Sequence, residues 1–218
     1  FVGASAYERQ LMTMFVIELT RAAVLSGAPD PVITDFQQTP HDPLYGDMLV
    51  GTTRFFAIEF KRLEKESHVK ESQKWNTTRL SHFLNSQDDA WKSHQNGWAM
   101  AQVCHLLVSG CGLTVTREIH VSRSPYMPAI FPKLKGCKNA RSRIVPLPVL
   151  ASSLLKATSG ASPQQIYRYL VKTAPCRRSM NGTEGEGGAT MIVAKLRDGR
   201  TVVTTNGCYV EYCKLLDL

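Results

Sequence analysis

The chain has 218 residues, 43% hydrophobic and 20% charged, with a net charge of +8. That length buries a core as one large domain or two small ones, and the composition excludes the disordered, collagen-like and coiled-coil classes. No stretch approaches ~20 uninterrupted apolar residues, because Glu18 interrupts "LMTMFVIELTRAAVL" and Gln102 and His105 interrupt "WAMAQVCHLLV", so no membrane span or membrane partner is expected.

In chain order, Ser5 to Leu25 carries Leu11, Met14, Phe15, Leu19 and Ala22 at helical spacing and stops at Gly27, where a left-handed cap fits. "PVITDFQ" (31–37) is β-branched between turn-formers and reads as a strand. "TPHDPLYG" is loop. "DMLV" and "FFAIEFKR" read as two antiparallel strands around the turn "GTTR". From Glu64 to Leu84 charges interleave with Val69, Trp75, Leu80 and Phe83, which predicts one or two amphipathic helices. Residues 90–110 predict a further helix ending at Gly110, and "LTVTREIHVSR" (113–123) alternates as a strand with one wet face. Past Pro125 the sequence turns Pro-, Gly- and Lys-rich. This divides a core over 1–125 from a basic extension or small second subdomain over 126–218. Ser162-Pro163-Gln164-Gln165 is a capping box with Pro at the first helical position. "NGTEGEGG" (181–188) is an irregular loop, and "ATMIVAKLRDGRTVVTT" is a hairpin closed at Asp198-Gly199.

The stretch "YGDMLVGTTRFFAIEFKR" (45–62) carries the chemistry. Residues two apart on a strand share a face, so Glu59 and Lys61 project together while Phe56, Ile58 and Phe60 turn to the other side. A tight turn at Gly51-Thr52-Thr53 pairs Val50 with Arg54. Asp47 then stands opposite Ala57 and diagonal to Glu59, roughly 7 Å away between Cβ atoms. A slip by one residue turns Asp47 to the wrong face. Two carboxylates at that separation can share one divalent cation, and Mg²⁺ relieves their repulsion. The lysine beside them can orient water or stabilise charge on a phosphate. A Glu-x-Lys triplet alone recurs roughly once in a chain of this size. The signal lies in the ensemble: glutamates on an upstream helix, a turn-flanked Asp, an apolar strand before the Glu and a basic helix after it.

That order resembles the PD-(D/E)xK nuclease superfamily, which includes restriction endonucleases and Holliday-junction resolvases. The resemblance covers about residues 5–85, with Gly46-Asp47 in place of the family's Pro-Asp and "SAYERQLM" (5–12) similar to the first-helix motif. It implies an α/β fold with a restriction-endonuclease-like core, a mixed central sheet flanked by helices, followed by the basic, β-containing C-terminal extension. It implies Asp47 and Glu59 as metal ligands with the backbone carbonyl of Phe60, Lys61 as the catalytic lysine, and Glu8 as the helix glutamate, with Glu18 its competitor. Asp30, Asp35 and Asp42 are weaker alternatives to Asp47. The implied cofactor is Mg²⁺, with Mn²⁺ able to substitute. The implied activity is phosphodiester hydrolysis, in DNA with RNA as the alternative substrate, by a homodimer or a larger nucleoprotein complex. The rival expectation is an inactive nuclease-like module that binds nucleic acid or a protein partner.

Charge distribution agrees with a polyanionic partner. Between Arg117 and Arg143 seven Lys or Arg face one acid, Glu118. Lys133, Lys135, Lys138, Arg141 and Arg143 are candidate backbone contacts, and on the helix after the Glu-x-Lys strand the family position that touches phosphate falls on Gln73 or Lys74. His105 reads as a hydrogen-bonded core residue, and Trp75, Trp91 and Trp98 as core before base-stacking platforms. The six cysteines show no C-x-x-C pair, and "FVGASAYERQ" has no basic region ahead of an apolar one, so reduced core thiols in a cytoplasmic protein are expected.

Overall fold

Leu11, Phe15, Leu19 and Ala23 recur every fourth residue and are the buried face of helix α1 (Glu8–Ser26), which ends at Gly27 with φ of 63°. The computed structural model describes residues 8–28, 31–36, 47–61, 68, 71–88, 91, 96–113, 118–138, 141–156, 159–177, 191–195 and 201–205. The strands are β1 (Val32–Phe36), β2 (Met48–Gly51), β3 (Phe55–Lys61), β4 (His105–Leu113), β5 (Ile119–Pro125), β6 (Arg143–Pro146), β7 (Met191–Lys195) and β8 (Thr201–Thr205). They form one sheet in the order β6-β5-β4-β3-β2-β1-β7-β8. Only β3 and β4 run parallel among these neighbours, so the sheet is mixed.

Period-two alternation along β3 builds two cores, one on each face of the sheet. Phe56, Ile58 and Phe60 join Leu106, Val108 and Val121 under α1 and α5 (Leu147–Leu155). Phe55, Ala57 and Leu107 join side chains of α2 (Thr77–Asn85), α3 (Gly97–Cys104), α4 (Tyr126–Ile130) and α6 (Pro163–Thr173). The protein is therefore α/β, a mixed sheet with helices on both faces. The sheet takes β1 to β5 from the first 125 residues and β6 to β8 from beyond them. Among the described residues no helix is long and apolar enough to cross a membrane.

Three expectations about local structure change. Residues 90–110 are not one helix: α3 spans Gly97–Cys104, and from His105 the chain is strand β4 beside β3. A parallel strand buried on both faces is a short continuous apolar run, which periodicity cannot tell from a buried helix. The alternating stretch 113–123 is not one strand either, because β4 ends at Leu113 and β5 starts at Ile119, its antiparallel partner. In the β2–β3 hairpin Gly51 stays in the ladder opposite Phe55, so the reversal is carried by Thr52-Thr53-Arg54, one residue later than expected. A Cβ at Gly51 would collide with the carbonyl of Arg54 and the ring of Phe55. The strand at Val32–Phe36, the capping box at Ser162 and Gln165, and the β7–β8 pairing all match their sequence signals. The Asp198-Gly199 turn lies outside the described residues.

Candidate metal and phosphodiester site

Ala57 pairs with Leu49 and not, as the tight turn predicts, with Asp47; Asp47 lies just beyond Met48, whose partner is Ile58. Against the expected Val50–Arg54 pairing, every partner on β3 stands two residues further along, an even shift that keeps the parity, and Asp47, Glu59 and Lys61 share one face. Asp47 is held by two backbone contacts: its own N–H donates to the Ile58 carbonyl at 3.1 Å, and its Oδ2 accepts the Phe60 N–H at 2.6 Å. Glu8 arrives from the first turn of α1, whose apolar stripe packs on the far side of β3.

All four nearby carboxylates converge on the ammonium of Lys61. Its Nζ lies 3.2 Å from Glu59 Oε2, 3.6 Å from Asp47 Oδ2, 3.7 Å from Glu8 Oε1 and 3.9 Å from Glu71 Oε2. Glu18 takes no part in these ion pairs, so Glu8 is the glutamate that α1 brings to the lysine. Asp35 lies on β1, two strands from β3, while Asp30 and Asp42 fall outside the described residues.

Two members of the cluster carry no local sequence signal. Glu71, in the helical turn after β3, has the sequence surroundings of a solvated helix face, with Glu64 and Glu66 shortly before it and lysines on either side. It is buried, and accepts hydrogen bonds at Oε1 from the Tyr126 hydroxyl at 2.8 Å and from Arg177 Nη1 at 3.4 Å. Arg177 follows the 3₁₀ turn Ala174–Cys176, and its Nη2 donates to Glu59 Oε1 at 2.7 Å. Its guanidinium lies 4.1 Å from the Trp75 ring centroid, and Trp75 Nε1 donates to the Tyr126 hydroxyl at 3.0 Å. Glu59 is thus gripped through one oxygen by Arg177 and through the other by Lys61. The network ties a carboxylate on β3 to a residue more than a hundred positions away, a pairing no window of sequence displays.

The charges separate into two groups. Burial alone pushes the Glu59 carboxyl up, but Lys61, then Arg177 and His105, outweigh it and hold it far below the ordinary range. Asp47 goes the other way: burial raises it, the neighbouring Glu59 charge adds to that, and Lys61 and the Phe60 N–H only partly compensate. Glu8, at the more open rim, is also raised, first by burial. Lys61 is held above its ordinary value, because the charges of Glu59, Asp47, Glu71 and Glu8 overcome its own burial. It is therefore a fixed cation at neutral pH and not a proton acceptor. Behind Glu59 lies His105, whose Nδ1 is 2.9 Å from the Tyr169 hydroxyl and whose ring stacks on Tyr126. Burial lowers its pKa to about 3, so it is a neutral core residue, as its apolar setting implied.

Hard carboxylate oxygens gathered around one cation are the donor type Mg²⁺ takes. As placed, the oxygens surround an ammonium at 3.2 to 3.9 Å, longer than the ~2.0–2.1 Å of Mg²⁺–oxygen contacts. Among the described residues no three His, Cys, Asp or Glu side chains stand close enough to hold a metal directly. The donor set fits the ion in kind, and Lys61 occupies its centre. The site opens to solvent on one side, where the side chains of Glu8 and Lys74 are each 35% exposed.

The candidate nucleic-acid contacts divide. Lys74 Nζ is paired with Glu71 Oε2 at 2.9 Å, and is therefore part of the cluster and not a free phosphate contact. Gln73 is exposed beside it. Lys133, Lys135, Lys138, Arg141 and Arg143 are all exposed, and none forms an ion pair with a described residue. The aromatics of that segment are core: Tyr126 and Phe131 are buried around Trp75. Trp75, Trp91 and Trp98 are buried too, which leaves none of them as an open stacking platform. Of the described cysteines, Cys104 and Cys176 are buried and Cys111 is exposed.

Comparison with protein-family models, with curated proteins and with solved structures found no match to this chain.

Proposed function

We propose that the chain is a Mg²⁺-dependent nuclease of the PD-(D/E)xK type, with a restriction-endonuclease-like core, acting on DNA. The observation that carries this reading is the convergence of Glu8, Asp47, Glu59 and Glu71 on Lys61 at the solvent-reaching end of β3. Asp47 and Glu59 would hold the ion with the Phe60 carbonyl; when bound, it supplies a Lewis acid that polarises the phosphate and acidifies water. Arg177 and the Phe60 N–H fix the two carboxylates from behind. Lys61, permanently charged, donates to the non-bridging oxygens as negative charge builds on them. Glu8, at the rim and with its pKa raised, takes the proton of the attacking water. The water oxygen bonds to phosphorus, the P–O bond to the 3′ carbon's oxygen breaks, and that oxygen leaves as hydroxyl with a proton from solvent. The products are a 5′-phosphate and a 3′-hydroxyl. The exposed cations of 133–143, which form no ion pair with a described residue, supply the electrostatic track for the substrate backbone.

One observation favours a second reading, an inactive module that binds nucleic acid: both oxygens of Glu59 are already taken, by Arg177 and Lys61. The two readings separate when wild type and Glu59→Ala are incubated with linear, circular, branched and single-stranded substrates in Mg²⁺, Mn²⁺ or EDTA. Metal-dependent cleavage by wild type alone supports the nuclease. Equal activity of the two proteins sinks the site, and absence of any metal-dependent cleavage leaves the binding module.

A further inference from the structure

The alternation that fills the α1 face of the sheet breaks at two facing positions. On β5, Ile119 and Val121 pack into that face's core, and on β6, Val145 does the same. The next residues of the same parity, 123 and 143, are both arginine, and the register makes them direct partners. Arg123 also pairs with Val108, and Val108 with Phe60. The two arginines therefore stand side by side at the level of the candidate site, on the opposite face of the sheet from Glu59 and Lys61.

Like charges directly opposite on neighbouring strands destabilise a ladder. Neither arginine has an ion pair with a described residue, and Arg123 is half-buried. Its pKa is pulled down, first by burial and then by the charge of Arg143 alone. Two guanidiniums kept together without a carboxylate among the described residues carry a cost that a bound anion removes. Their planar N–H forks match phosphate oxygens pairwise. Exposed Arg141, Lys138, Lys135 and Lys133 continue the charge along the chain without ion-pair partners among the described residues, which suits a polymer of phosphates better than a single ion.

We infer that Arg123 and Arg143 form a two-guanidinium clamp for one backbone phosphate of a bound nucleic acid. At about 4.8 Å per strand, Arg123 stands roughly 10 Å across the sheet from Phe60. The clamp therefore holds a flanking phosphate and not the one attacked. The polymer's identity rests on the proposed function; the clamp itself does not.

The test uses the full chain as wild type, Arg143→Gln, Arg143→Lys and Arg123→Gln/Arg143→Gln. Thermal unfolding is followed in sodium phosphate and in sodium chloride of matched ionic strength. Binding of a fluorescent DNA oligonucleotide is measured across a chloride series. In low chloride Arg143→Gln should unfold a few degrees above wild type, because a repulsion has gone. Phosphate should raise the wild-type midpoint beyond chloride and leave the glutamine variants unmoved. DNA affinity should fall about tenfold in Arg143→Gln and less in Arg143→Lys, with the slope of log K against log salt smaller by about 1. These results in a protein that cleaves nothing support the clamp and sink only the hydrolytic reading. Phosphate-specific stabilisation with unchanged DNA binding makes this a free-anion site and overturns the proposal. A destabilised Arg143→Gln with wild-type salt slope overturns it as well.

Discussion

Two charged regions of this molecule are built on opposite terms. At the end of β3, four acids and three bases, Lys61, Lys74 and Arg177, contact one another, and most are buried. Along 133–143 and at Arg123 the cations reach solvent, with no ion pair among the described residues. The first region answers its own charge and is costly to disturb from inside. The second leaves its charge open to a partner from outside. A cluster that compensates itself while remaining open at one rim is suited to hold chemistry in place, and a stripe that does not is suited to attract what the chemistry acts on.

The sharpest way to break that contrast is to remove the centre of the first region. Lys61→Met keeps much of the side chain's bulk and leaves four carboxylates facing each other. Single-turnover cleavage should fall on the order of 10²–10³-fold, as for loss of one transition-state donor, with oligonucleotide affinity held. A parallel fall in affinity would mean the two regions are not separable.

Next in size is the support behind Glu59. Arg177→Met leaves two buried carboxylates without their guanidinium and should cost ~3–5 kcal/mol in urea denaturation, the usual penalty for breaking a buried pair from one side. Arg177→Lys should restore part of it. Unchanged stability in Arg177→Met would remove Arg177 from the cluster.

Asp47 sharpens the comparison through pH. Its folded pKa is raised, so ionised Asp47 costs stability, and the cost sets in as pH rises through the unfolded value of ~3.9. Asp47→Asn should raise the urea midpoint at pH 8, with the gain shrinking toward pH 4, and abolish cleavage. Glu59 has the reverse sign: its depressed pKa stabilises the fold above ~4.3, and that is lost as pH falls toward the depressed value. Glu59→Gln should therefore destabilise at pH 8. The same direction for both variants would refute the assignment of charges.

The smallest effect belongs to the open region. Lys133→Gln and Lys138→Gln should leave the unfolding midpoint within experimental scatter. Each should lower the slope of log K against log salt for DNA binding by about 1 if its ammonium neutralises one phosphate. A shift of the midpoint larger than that of binding would place these lysines inside the fold's own electrostatics.

The site is legible in sequence as far as period two reaches. Asp47, Glu59 and Lys61 lie on one hairpin, so parity alone puts them together. The reversal falls one position later than the spacing suggests because Gly51 fits either a turn or a strand end, yet the pairing shifts by an even number of residues and preserves the face. Glu8 follows from its place at the head of an amphipathic helix. Glu71 and Arg177 are not legible, since the first looks like any glutamate of a charged helix and the second meets Glu59 only through tertiary packing. The fold shows the same division. The capping box at Ser162 and the β2–β3 and β7–β8 hairpins announce themselves, whereas β4, buried on both faces beside its parallel partner, looks like helix, and the β4–β5 reversal looks like one strand. The broken alternation at Arg123 and Arg143 is also present in the sequence. It gains meaning only with the β5–β6 register, which joins residues twenty apart.

The proposal that Asp47 and Glu59 together hold a divalent cation beside Lys61 is tested most directly by calorimetric titration of Mg²⁺ into metal-free wild type and Glu59→Gln. Saturable binding by wild type, lost or weakened at least tenfold in the variant, is the predicted result. Identical heats for the two proteins would contradict it.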